Sequence, residues 1–245
     1  MHTFQLLRFR IKHFLSPSYQ CPICNYHGPF QTAWPGKPTQ RRYAICPQCG
    51  ASERQRMQWA IVNELSLSHH FKEKKLLHFA PEPVLLTKFQ KLFADTTTID
   101  LLMPKVDVHA DICHLPFSDA SFDVIFASHV LEHVKADLQA MSEIRRVLKP
   151  DGLAVIEVPI TSISTIEYKE PNPYEFGHVR APGGEYYDRF SIYFSKMRKI
   201  TSDDMPAKYQ TYYHCDWSMF PTAESPIREP MTGKNHPIHI AVYYK

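Results

Sequence analysis

The sequence predicts an α/β protein with a doubly wound, mostly parallel sheet, preceded by a small cysteine-based module. From residue 76 onward, short apolar or β-branched runs alternate with helical patterns, which is typical of parallel strands joined by crossover helices. Before that point, four of the six cysteines form two close pairs. The charge also changes there: up to Lys75 there are 11 Lys and Arg against 3 Asp and Glu, and after it 17 against 22.

Composition sets the broad class of the protein. Of the 245 residues, 44% are hydrophobic and 22% are charged, which excludes a disordered or collagen-like chain. No run approaches the roughly 18 apolar residues of a membrane-spanning helix, and no signal peptide is evident. We therefore expect a cytoplasmic protein. The 8 glycines are few, so glycine-rich phosphate loops are not expected.

Residues 1–16 predict a basic amphipathic helix, because Phe4, Leu7, Ile11 and Phe14 recur at helical spacing with basic residues between them. Such a helix could make weak contact with a membrane surface. The simpler interpretation, which we favour, is that the helix packs on the body of the protein.

The pairs Cys21/Cys24 and Cys46/Cys49 predict a zinc ribbon over residues 17–50. A two-residue spacer lets both sulfurs of a pair reach one ion at about 2.3 Å, and two pairs complete a tetrahedron. Four protein ligands leave no open position, so the zinc is expected to be structural. Disulfides are the alternative, which the absence of a secretory signal disfavours.

Residues 51–75 predict a linking helix, opened by a capping box at Ser52 and Gln55. The following domain, residues 76–245, carries five predicted strands at 76–80, 96–100, 106–110, 122–127 and 153–158. A long helix is predicted to begin near Leu131 and to end before Gly152. Residues 167–184, rich in proline and charge, predict a loop, and the four prolines from Trp217 to Pro237 predict a second, longer loop.

Ligands of doubly wound folds lie beyond the carboxyl ends of the strands, so the residues that follow each strand are the candidates for binding. Asp100 ends the second strand, where a carboxylate can accept both hydroxyls of a ribose. Asp111 and Ile112 follow the third strand, where they could take the amino group and the ring of adenine. His129 follows the fourth. The first strand leads into a stretch without glycine, Ala80-Pro81-Glu82-Pro83.

The motifs in this order resemble the class I S-adenosylmethionine-dependent methyltransferases. They are Asp100, Ala110-Asp111-Ile112, Leu115-Pro116-Phe117, Ser121-Phe122-Asp123-Val124-Ile125, Ser128-His129-Val130-Leu131-Glu132-His133-Val134 and Arg146-Val147-Leu148-Lys149-Pro150-Asp151-Gly152. The resemblance implies a Rossmann-like, seven-stranded sheet whose last two strands, near 197–201 and 238–244, are an antiparallel addition. It also implies S-adenosylmethionine as cofactor. The implied contacts with the cofactor are Phe79, Ala80, Pro81, Glu82, Asp100, Asp111, Ile112 and His129.

More narrowly, the chain is similar to bacterial methyltransferases in which Phe-Ala-Pro-Glu replaces the glycine motif and a four-cysteine ribbon precedes the domain. Members of that group carry a His-Val-Arg segment, matched here by His178-Val179-Arg180. His129, His178 and Arg180 are therefore candidates for the substrate side. Because a loop without glycine does not readily adopt positive φ, we expect Glu82 to supply part of the cofactor contact. The alternative is that Glu82 only caps the following helix.

Three functions remain open from the sequence. The first is methyl transfer to a small molecule or glycan precursor. The second is RNA methylation, in which the basic ribbon half binds phosphate. The third is a non-catalytic binding module on the same fold.

Overall fold

The computed structural model describes residues 3–37, 40–215 and 235–245. Its centre is a seven-stranded sheet in the order β12-β13-β9-β8-β5-β6-β7. The strands are β5 (Lys75–Phe79), β6 (Asp95–Asp100), β7 (Val108–His109), β8 (Phe122–Ser128), β9 (Leu148–Glu157), β12 (Lys196–Thr201) and β13 (His239–Tyr244). The first five pair in parallel, and β13 runs antiparallel between β9 and β12. The predicted fold class is confirmed.

The strand order reverses between β5 and β8, which are neighbours although β6 and β7 separate them in sequence. Crossover helices α3 (Pro83–Leu92) and α4 (Asp137–Val147) cover the sheet. Alternate residues of each strand enter different cores. Leu77, Ile125 and Ile156 join one core cluster, whereas the other contains Leu76, Phe126 and Val155. This period of two is what a sheet buried on both faces requires.

The second core is shared with the N-terminal half. Strands β1 (Tyr19–Gln20), β2 (His27–Gly28), β3 (Gln31–Ala33) and β4 (Arg41–Ile45) form two small hairpins. Buried residues of this ribbon, such as Ile23 and Phe30, belong to the same cluster as Leu85 and Phe89 of α3. Helix α2 (Glu53–His69) lies between them and begins with the predicted capping box, which is confirmed. The linking helix is therefore part of the core.

Helix α1 (Thr3–Lys12) lies differently from the expectation. Leu6 packs against the core, whereas Phe4, Leu7 and Ile11 of the predicted apolar face are 71%, 55% and 65% exposed. The helix thus contacts the body of the protein, as expected, but not through the predicted apolar face, because periodicity shows that a helix has an apolar face and not what covers it. Among the described residues, no helix has the length and apolar character needed to cross a membrane.

Two further segments also depart from expectation. The long helix predicted from Leu131 is instead a short 3-10 turn, Leu131–His133, followed by α4. Residues 167–184, expected to form a loop, contain the hairpin of β10 (Ile166–Asn172) and β11 (His178–Ala181).

Candidate active site

The loop after β5 adopts an unusual backbone conformation. Ala80 has φ of 45°, in the left-handed region, and its backbone N–H donates to the carbonyl of Ile99 at 3.0 Å. The expectation that a loop without glycine avoids positive φ is therefore wrong here. Alanine carries only a Cβ, so the conformation costs about 1–2 kcal/mol rather than a steric block.

Glu82 precedes α3 with an extended backbone but makes no side-chain capping bond. Its Oε1 instead accepts a hydrogen bond from Nη2 of Arg54 at 2.6 Å, and Arg54 comes from the linking helix. Among the described residues, the buried Oε2 of Glu82 has no hydrogen-bond partner. The helix-cap interpretation is thus not supported by geometry, and one carboxylate oxygen is available.

Arg54 and Gln58 bring α2 to the ends of β8 and β9. Nη1 of Arg54 donates to Oγ of Ser128 at 2.6 Å, and Nε2 of Gln58 donates to the same oxygen at 2.7 Å. Ser128 in turn donates to Oε2 of Glu157 at 2.6 Å. Residues four apart share one face of a helix, so a single face of α2 supplies both donors. Glu157 ends β9, the neighbour of β8.

His129 lies between two buried carboxylates. Its Nδ1 is 3.0 Å from Oε1 of Glu132, and its Nε2 is 3.3 Å from Oε1 of Glu157. Burial alone would lower the pKa of His129, but the charge of Glu157 and then that of Glu132 outweigh burial and raise it to about 9. Burial would raise the pKa of Glu157, but His129 and Arg54 lower it to about 2. At neutral pH His129 is therefore an imidazolium, which cannot act as a general base.

The adenosine-side candidates lie at the ends of β6 and β7. Oδ1 of Asp100 accepts from the backbone N–H groups of Leu102 and Met103 at 2.8 and 2.7 Å, which fixes the carboxylate. Oδ1 of Asp111 similarly accepts from the N–H of Cys113 at 2.9 Å. Phe79 and Ile112 are both buried in the core, and Ile112 is only 5% exposed. Because Ile112 is packed in the core, little of its side chain is exposed to cover an adenine ring in the way that the sequence predicted.

His178 and Arg180 begin β11, which lies against the 3-10 turn 131–133. Arg180 is 1% exposed, and its guanidinium donates to the carbonyls of Leu131 and Val134 at 2.6 Å each and of Lys135 at 3.0 Å. These contacts do not favour the substrate-side role expected for Arg180. They make it a positioning residue that docks β11 on the turn.

The four predicted zinc ligands converge. All four Sγ atoms lie within 4.8 Å of one another, and the pairs Cys21/Cys49 and Cys24/Cys46 are 3.6 Å apart. Sulfurs on one zinc ion are separated by about 3.8 Å, given Zn–S bonds of about 2.3 Å. The turns that hold the two cysteine pairs have the same hydrogen bond. The N–H of Asn25 donates to the carbonyl of Cys21, and the N–H of Gly50 donates to the carbonyl of Cys46, each at 2.9 Å.

Sequence reasoning missed Arg54, Gln58 and Glu157. The two α2 residues lie 74 and 70 positions before Ser128, and no local pattern links them to it. Glu157 could have been found, since it ends the fifth strand and the strand-end rule applies to it as it does to Asp100.

Residues 66–156 match the model of a methyltransferase domain. An uncharacterized protein of Methanocaldococcus jannaschii is 41% identical over 87 residues, which are 35% of this chain and 38% of that protein. A probable S-adenosylmethionine-dependent methyltransferase of Mycolicibacterium smegmatis is 40% identical over 57 residues, which are 23% and 22% of the two chains. The matched segments thus span well under half the length of these relatives.

Solved structures share the fold. A phosphoethanolamine N-methyltransferase of Haemonchus contortus, in complex with phosphomonomethylethanolamine and S-adenosylhomocysteine, superposes with a TM-score of 0.50 at 15% identity, covering 75% of this chain and 52% of that one. A candidate sarcosine dimethylglycine methyltransferase of Galdieria sulphuraria gives 0.52 at 13% identity, covering 78% and 85%. Residues 66–156 therefore match a methyltransferase domain, and the sheet order is that of the Rossmann-like methyltransferase fold.

Proposed function

We propose that this chain transfers a methyl group from S-adenosylmethionine to a small molecule or glycan precursor. The observation that carries the proposal is the set of carboxylates at the reversal of strand order, where doubly wound folds bind ligands. Glu82 has a buried carboxylate oxygen without a partner, and Asp100 ends β6. The same ligand class occurs in the Haemonchus structure, which holds S-adenosylhomocysteine.

Charge supports the same ligand. Arg54 and His129 face the carboxylates of Glu82 and Glu157, so with formal charges these four side chains carry no net positive charge that would repel a cationic ligand. S-adenosylmethionine carries a sulfonium and an ammonium against one carboxylate, which makes it a net cation. Glu82, whose Oε2 has no hydrogen-bond partner among the described residues, is placed to accept the ammonium.

The reaction requires alignment more than acid or base catalysis. When bound, S-adenosylmethionine would be held by Glu82 and Asp100 and would supply a methyl group that is already activated on a sulfonium. The chain's part is to orient the two reactants and to exclude water. His129 holds its proton at neutral pH, so its role here is to fix Glu132 and Glu157.

RNA methylation is less favoured by the structure, because part of the N-terminal positive charge is used internally. Arg41 pairs with Glu53, Arg54 pairs with Glu82, and the buried Arg56 donates to main-chain carbonyls. Calorimetry with S-adenosylmethionine tests the main proposal, followed by a screen of methyl acceptors. Absence of cofactor binding would favour the non-catalytic alternative, and methylation confined to RNA would favour the second.

Asp100→Asn is expected to weaken S-adenosylmethionine binding by about 1–3 kcal/mol, because a charged acceptor for two ribose hydroxyls is lost. Asparagine keeps Oδ1 for the N–H groups of Leu102 and Met103, so the turn is retained. Asp95→Asn, at the other end of the same strand, is the matched control. Titration calorimetry measures both. An Asp100→Asn protein with the parental Kd would place the ribose elsewhere.

Glu82→Gln is expected to weaken cofactor binding about tenfold, or about 1.4 kcal/mol, since it removes the charge that faces the ammonium and keeps the side-chain shape. A role limited to the helix dipole would change stability by about 0.3–1 kcal/mol and leave binding unchanged. Calorimetry and thermal melting of the same samples separate the two. A lower melting temperature with unchanged affinity would contradict the assignment.

We also propose that Cys21, Cys24, Cys46 and Cys49 hold a structural zinc ion. Cys21→Ser is expected to lose one equivalent of zinc and to bind S-adenosylmethionine less well, because the ribbon holds α2 and hence Arg54. Cys113→Ser, a buried thiol outside the cluster, is the control. Elemental analysis and calorimetry of both variants are the measurements. Full zinc content in Cys21→Ser would rule out this ligand set.

The exposed apolar face of α1 supports a weak contact with anionic membrane surfaces, since Arg8, Arg10 and Lys12 accompany Phe4, Leu7 and Ile11. Ile11→Asp is expected to reduce co-sedimentation with phosphatidylglycerol vesicles severalfold, and added salt should weaken the parent's binding. Leu67→Asp, at an exposed apolar residue of α2, is the control. Equal binding of the parent to neutral vesicles, or no effect of Ile11→Asp, would contradict this role.

A further inference from the structure

Three side chains beside His129 and Glu157 converge on one another. None of the three is among the proposed cofactor contacts. They are Glu132 and His133 of the 3-10 turn after β8, and His178 at the start of β11. One carboxylate oxygen and one ring nitrogen from each histidine lie within 4.8 Å of one another. The two imidazole rings meet edge to face, with centroids 4.8 Å apart. We call this group the Glu132 cluster.

The fold holds the cluster together through main-chain contacts. Arg180, two residues after His178, donates to the carbonyls of Leu131 and Val134 on either side of Glu132 and His133. A buried guanidinium that bridges two segments fixes their separation. The convergence therefore does not depend on flexible surface side chains, although His133 itself reaches solvent.

Glu132 is the member of the cluster that most requires a further partner. It is 0% exposed, and among the described residues neither carboxylate oxygen has a hydrogen-bond partner. His129 is an ion-pair partner of Oε1 at 3.0 Å, which leaves Oε2 as the oxygen that most lacks a partner. A buried carboxylate has several lone pairs to satisfy, and leaving them unsatisfied is costly. A bound cation would satisfy them.

We infer that Glu132, His133 and His178 bind a divalent transition-metal ion. Two imidazoles and one carboxylate suit zinc, iron, nickel and cobalt better than calcium or magnesium, which prefer oxygen ligands. Donors on one such ion lie about 3.4 Å apart, given bonds of about 2.1 Å, so a modest side-chain adjustment closes the cluster. Three protein ligands leave at least one open position, which is typical of catalytic rather than structural sites.

The open position defines the class of ligand it would take. Water or another oxygen donor fits an ion held by histidine and carboxylate. Glu132 contacts His129, which follows β8, so the ion would border the proposed cofactor site. Resting on the proposed methyl transfer, this placement predicts an acceptor that offers an oxygen to the ion. Metal binding itself does not depend on that transfer.

Titration of the full chain with Co²⁺ tests the inference. Cobalt in the four-cysteine ribbon gives strong thiolate-to-metal charge-transfer absorption, whereas cobalt held by histidine and glutamate gives only weaker d–d bands. We expect the parent to bind one equivalent of Co²⁺ without thiolate absorption. His133→Ala should weaken this binding at least tenfold, since removing even a second-shell partner of a metal ligand costs 10–100-fold. His133 is exposed, so its replacement should leave the fold intact.

Two further variants complete the experiment. Glu132→Gln, which keeps shape and removes charge, should weaken Co²⁺ binding as strongly as His133→Ala does. His114→Ala removes an exposed imidazole outside the cluster and should bind as the parent does. The inference is overturned if the parent shows only thiolate-bound cobalt, or if both cluster variants keep the parental affinity. S-adenosylmethionine affinity, measured on the same proteins, reports the methyltransferase proposal separately: its absence from the parent would reject that proposal while the cobalt result stands.

Discussion

The buried guanidinium of Arg56 is the contact on which the joining of ribbon and domain depends. It is 0% exposed and donates to the carbonyls of Ala44 in the ribbon and of Ala51 just before α2, and to those of Tyr209 and Gln210 near the C-terminal part of the chain. Burial lowers its pKa to about 10, so it still carries its charge at neutral pH. These main-chain acceptors fix the rotation of α2 about its axis. Arg54, two positions earlier, is turned by about 200° and so points toward the sheet.

The basic N-terminal half and the acidic domain are therefore partly complementary within one molecule. Arg54 meets Glu82 and lies 3.6 Å from Glu157, while Arg41 of β4 meets Glu53 of α2 within the N-terminal half. Since these pairs are mostly buried, each would be costly to break. An uneven distribution of charge along the sequence can thus reflect an internal interface as well as an external partner. Here internal ion pairs neutralise part of the positive charge of the N-terminal half.

Sequence patterns predicted the features of the structure that depend on periodicity or on residues close together in the sequence. The strands of the sheet, the two cysteine pairs and the capping box at Ser52 each rest on spacing within a short window, and the structure contains the strands, the cysteine cluster and the cap. The network at Ser128 could not be predicted in this way, because it joins residues far apart in sequence and buries charges that composition assigns to the surface. The left-handed Ala80 was equally hidden, since alanine rarely adopts that conformation. The proposed loop from Trp217 to Pro237 lies largely outside the described residues.

The loop after β5 shows how the missing glycines are compensated. Pro81 and Pro83 each fix one φ angle, Ala80 holds the turn at a cost in strain, and the ion pair of Arg54 with Glu82 ties the loop to α2. A glycine loop would be free to move and would lose that freedom on binding a ligand. A braced loop has less freedom to lose, so the entropic cost of binding is smaller. Since Arg54 provides the brace, the proposed cofactor site is completed by the helix that the ribbon holds in place, and the ribbon is a structural part of that site.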